Sequence, residues 1–70
     1  MNREKLQNHL NILENQHHLL RIKEGDILSS QKKLGRTDDG QIKLAEIYTE
    51  MSSIEKEMRN LKSQLDNLSN

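Results

Sequence analysis

From residue 44 to residue 68 the apolar positions keep one step: Leu44, Ile47, Met51, Ile54, Met58, Leu61, Leu65 and Leu68, spaced alternately by three and four. Strands bury every second residue, so this spacing excludes them and predicts a helix with an unbroken coiled-coil seam. The first half carries a narrower seam. Leu6, Leu13, Leu20, Ile27 and Leu34 recur every seventh residue, while the companion positions read Leu10, His17, Glu24 and Gln31. That second row starts apolar and turns polar toward the middle of the chain. No basic region precedes the leucines and a second helix follows them, so a DNA-binding leucine zipper is a poor reading.

The turn chemistry is gathered between the two seams. The stretch KKLGRTDDGQIKL, residues 32–44, holds two of the three glycines in a chain without proline. Gly35 is placed to end the first helix in the left-handed conformation. Asp38 is placed to cap the second, with Gln41 three residues on as in a capping box. Asp38 and Asp39 suit the positive end of a helix dipole, and Lys32 and Lys33 the negative end.

The fold expected is therefore all-α: an antiparallel two-helix coiled-coil hairpin, one domain over residues 1–70, with helix 2–34, turn 35–37 and helix 38–68. Folding the arms together aligns residues whose numbers add to about 76, setting Leu34 opposite Ile42, Ile27 opposite Tyr48, Leu13 opposite Leu61 and Leu10 opposite Leu65. Gly25 interrupts the first arm and is followed by Asp26, a possible helix start. The seam keeps phase from Leu20 through Ile27 to Leu34, which favours one continuous helix over a break into three.

Charge supports the pairing of the arms. The 11 basic and 11 acidic side chains cancel overall, but residues 1–36 carry a net +3 and residues 37–70 a net −3. The balance argues against a dedicated nucleic-acid or membrane-surface binder. The opening residues MNREKLQNHL lack the apolar run of a signal peptide, no stretch approaches membrane-spanning length, and there is no cysteine. A cytosolic protein is expected.

Composition limits the core. Phe and Trp are absent and Tyr48 is the only aromatic, so the fourteen apolar seam residues must carry the packing. Their burial falls short of what a stable 70-residue domain requires. Ile12, Leu19 and Ile22 on the first arm, and Ile42 and Tyr48 on the second, lie off the seams and form the expected partner surface. Self-association into a dimeric four-helix bundle would cover it. Docking to an unidentified protein partner is the competing explanation.

Little suggests catalysis. His9, His17 and His18 lack the spacing of a metal site, since neighbouring helical residues point about 100° apart. His17 reads as a polar seam residue near Met58 and Glu55. Glu24 and Gln31 read as buried polar groups that set register, facing Ala45, Met51, Ser52 and Ser53. No nucleophile–base pair, phosphate loop or cofactor motif is present, and neither enzyme activity nor a cofactor is expected.

In length and plan the chain resembles the Rop family of plasmid-encoded RNA-binding hairpins, which dimerise into four-helix bundles. No motif matches residue by residue, so that family's RNA-binding residues find no counterpart here. The segments LENQHHLL and IEKEMRNL resemble a family of short bacterial and phage-borne hairpin proteins of unknown function, with a His-bearing first helix and a Lys/Glu-rich second. The Lys-Asp pair late in that pattern is missing. The expectation is a small protein–protein interaction module acting as assembly factor, adaptor or regulator, its Asn-, Lys- and Ile-rich composition suiting a phage or mobile element. A Rop-like nucleic-acid-binding regulator and a coiled-coil spacer are the alternatives.

Overall fold

A computed structural model describes residues 3–69. Two helices, α1 (Arg3–Leu34) and α2 (Asp38–Ser69), pack as an antiparallel hairpin measuring 52 × 14 × 14 Å. The expected start at residue 2 lies outside the described residues, and α2 runs one residue past its expected end. α1 passes through Gly25 without interruption, and a Cβ added there would meet nothing within 4 Å. The regular seam on both sides holds the helix together across its weakest residue.

The reversal rests on two local devices. Gly35 takes φ +91° and its N–H donates to the Gln31 carbonyl at 2.8 Å, closing α1 with a left-handed cap that only glycine adopts without strain. The cap of α2 is Thr37, not Asp38. The Gly40 N–H donates to Thr37 Oγ1 at 3.0 Å, and the Gln41 N–H to the Thr37 carbonyl at 3.0 Å. Asp38 and Asp39 thus occupy the first turn, where their charge still favours the dipole. The capping box is lost because its third position falls on Gly40, which has no side chain to reach back.

The register also differs from the expected one. Across the hairpin Gln31 meets Gly40, Glu24 meets Tyr48 and His17 meets Glu55, numbers that add to 71 or 72, not 76, although the expected partners Leu10 and Leu65, and Leu13 and Leu61, do lie in one core cluster. Two constraints meet there. A three-residue turn centred on Arg36 aligns numbers adding to about 72, and the two seams interlock only at 71 or a multiple of seven away from it. Pairing by 76 would set seam residues against the flanks.

Core burial follows the register. Leu6, Leu10, Leu13, Leu20, Leu44, Ile47, Met51 and Leu61 are buried, while Ile27, Ile54, Met58 and Leu65 are partly buried against them. Leu34 and Leu68, both assigned to the seam, are exposed, Leu34 at 84%. Leu34 is the last residue of α1, and its layer partner would be residue 37 in the turn, so nothing packs over it. Leu68 would need a partner at residue 3, where α1 begins. Ile54 packs against both clusters, bridging the layer where α1 presents His17 instead of an apolar side chain.

Candidate interaction surface

Three polar residues of α1, seven apart, face α2 along the seam, and each meets a specific group. His17 Nε2 lies 3.5 Å from Glu55 Oε1, an ion pair when the ring is protonated but not a well-formed hydrogen bond. The Tyr48 hydroxyl is within hydrogen-bonding reach of the Glu24 carboxylate, which holds its pKa above the usual value of 10.0, with desolvation and the Glu24 charge adding to the effect. Gln31 reaches the first turn of α2, where a Cβ on Gly40 would stand 2.8 Å from its Nε2. The small residue opposite Gln31 is thus Gly40, and the group opposite Glu24 is Tyr48. Ala45, Met51, Ser52 and Ser53 had been expected there, and the shift in register moves them away.

The exposed apolar residues divide between two edges of the hairpin. On one edge Leu19 lines a groove with Gln16, Leu20, Lys23, Glu50 and Ile54. The groove continues toward the turn past Asp26, Ile27, Ile47, Glu46 and Lys43. Ile12 stands two turns before Leu19 and Ile22 one turn after, so the three make a strip along α1. All three are about half exposed or more, Leu19 at 51%.

Tyr48 belongs to the opposite edge. It precedes Glu50 by two residues, about 200° around the helix, and turns to Glu24 rather than to the groove. Leu28, one turn beyond Glu24, is exposed on that same side. Ile42 lies on the outer face of α2 beside Ala45 and Thr49. The five residues expected to form one surface therefore do not share a face. Leu28 went unrecognised because it directly follows the seam residue Ile27; its spacing from Glu24 was the available signal.

The remaining candidates for chemistry stay apart. His9 Nε2 sits 4.0 Å from Glu57 Oε2, both well exposed, and His18 is exposed. Among the described residues no three His, Cys, Asp or Glu side chains converge to hold a metal ion, and no helix is long and apolar enough to cross a membrane. Around the turn Lys32, Lys33 and Arg36 are exposed, and Lys43 pairs with Asp39 at 3.2 Å. No family model, curated protein or solved structure matches the chain.

Proposed function

We propose that this chain is a small non-enzymatic protein–protein interaction module, an assembly factor, adaptor or regulator that works by presenting one edge of its hairpin to another protein chain. The observation that carries the reading is the strip of Ile12, Leu19 and Ile22, large apolar side chains left open beside a groove whose floor is the partly covered seam. Exposed residues of this kind, in one row and rimmed by charge, favour association over solvation. The chain's composition suits a phage or mobile-element protein acting in the cytosol.

A test is affinity capture from host cells with the wild-type chain beside Leu19→Lys and Leu28→Lys. The reading expects a stoichiometric protein partner that is lost with Leu19→Lys and kept with Leu28→Lys. Capture indifferent to both changes, or no capture, contradicts it and leaves the coiled-coil spacer as the simpler account.

The exposed Lys32, Lys33 and Arg36 at the turn favour a second reading, a Rop-like RNA- or DNA-binding regulator. Retention on nucleic acid separates the two. Binding that weakens steeply with rising salt and with loss of those three cations would support the regulator.

A further inference from the structure

We infer that the Leu19 edge is closed by a second copy of this chain, the two hairpins meeting as a twofold four-helix assembly. The inference rests on the interaction reading above and names the occupant of the same strip. Area gives the first argument. A folded monomer of 8.2 kDa shows about 4,500 Å² of surface by the usual scaling. This hairpin shows 5558 Å². The excess, about 1,000 Å², is close to the roughly 800 Å² that each partner contributes to a standard interface.

Charge gives the second. The rim of the groove carries Lys23 and Asp26 from α1 and Lys43, Glu46 and Glu50 from α2. A surface of one sign would repel its own copy. This one is of mixed sign on both helices: with α1 of each hairpin laid over α2 of the other, each Lys23 can face Glu46 or Glu50 of the facing copy, and the twofold makes every such contact twice.

The third argument selects the edge. The pair that spans the Leu19 edge, His9 and Glu57, is well exposed and 4.0 Å apart. On the opposite side His17 lies 3.5 Å from Glu55, and Tyr48 lies beside Glu24 at the partly buried seam. Docking there would require those groups to be desolvated or rearranged. The Leu19 edge offers more apolar surface, from Ile12 through Ile22.

The test is sedimentation equilibrium over about a hundredfold range of concentration, with helicity recorded for each variant. Wild type is expected as a dimer. Leu19→Lys, introduced twice by the symmetry, is expected to raise the dissociation constant on the order of a hundredfold, and Leu28→Lys to leave it within about threefold. Should Leu19→Lys lose helicity, charge exchange replaces it: Lys23→Glu weakens the dimer and Lys23→Glu with Glu50→Lys restores it. A wild-type monomer throughout, or a dimer broken by Leu28→Lys and untouched by the Leu19 and Lys23 changes, overturns the inference. A monomer that still captures another protein through Leu19 keeps the interaction reading and loses only this one. A dimer that captures nothing does the reverse.

Discussion

Tyr48 of α2 places its hydroxyl near the carboxylate of Glu24 on α1, at the point where the first arm's seam has become polar. The contact explains how a carboxylate is accommodated at a core-facing position. It stands beside the hydroxyl of the only aromatic in the chain and keeps partial access to water.

Because Tyr48 is the only aromatic, phenolate absorbance reports it alone. Its midpoint should lie above 10, since Glu24 favours the neutral hydroxyl first by hydrogen bonding and then, with desolvation, by charge. A folded-state pKa raised above the unfolded one contributes stability that is complete below pH 10 and is lost as the pH rises through the folded value. Glu24→Ala should return the midpoint toward 10. An unchanged titration in that variant contradicts the contact.

The glycines of α1 should respond in opposite directions. Gly25→Ala fills open space within a continuous helix and should stabilise the hairpin by about 0.5–1 kcal/mol. Gly35→Ala forces a Cβ into φ +91° and should destabilise it by about 1–2 kcal/mol. Urea unfolding of both variants checks the pair, and a destabilising Gly25→Ala would mean that α1 bends or breaks there.

Moving the cap to Thr37 has a measurable consequence. Thr37→Ala removes the oxygen that accepts the Gly40 N–H and should cost about 1 kcal/mol, while Asp38→Ala should cost only about 0.3–1 kcal/mol through the dipole, an effect that salt screens. If Asp38→Ala is the more damaging at high salt, the cap has been misplaced.

Two leucines of the same heptad row should differ widely. Leu13 is buried within the Leu6, Leu10 and Leu61 cluster, and Leu13→Ala should cost about 2–5 kcal/mol, enough to unfold so small a hairpin. Leu34 is exposed at the tip, and Leu34→Ala should stay within about 0.5 kcal/mol. Thermal melts read by circular dichroism distinguish the two, and equal losses would contradict the register.

Helix type, the turn and the Gly35 cap were legible in the sequence because each depends on local spacing or on one residue's conformational freedom. The register was not read correctly, with Tyr48 beside Glu24 and not opposite Ile27, although the information was present: turn length and seam phase had to be imposed together. Leu34 and Leu68 show a different limit. A heptad pattern marks which side faces the partner helix, but not whether that helix extends far enough to cover it. Tyr48 was read as partner surface from its apolar ring alone, whereas its hydroxyl and the Glu24 carboxylate decide its place.

The most direct test of the account is the dependence of the thermal midpoint on protein concentration. A chain that leaves its Leu19 edge for a second copy gains stability by mass action, so the midpoint should climb across about a hundredfold rise in concentration and should stay flat in Leu19→Lys. A wild-type midpoint that does not move, in a fully helical and cooperative hairpin, would mean the two helices suffice by themselves and would contradict the claim that this edge is built to be covered by its own copy.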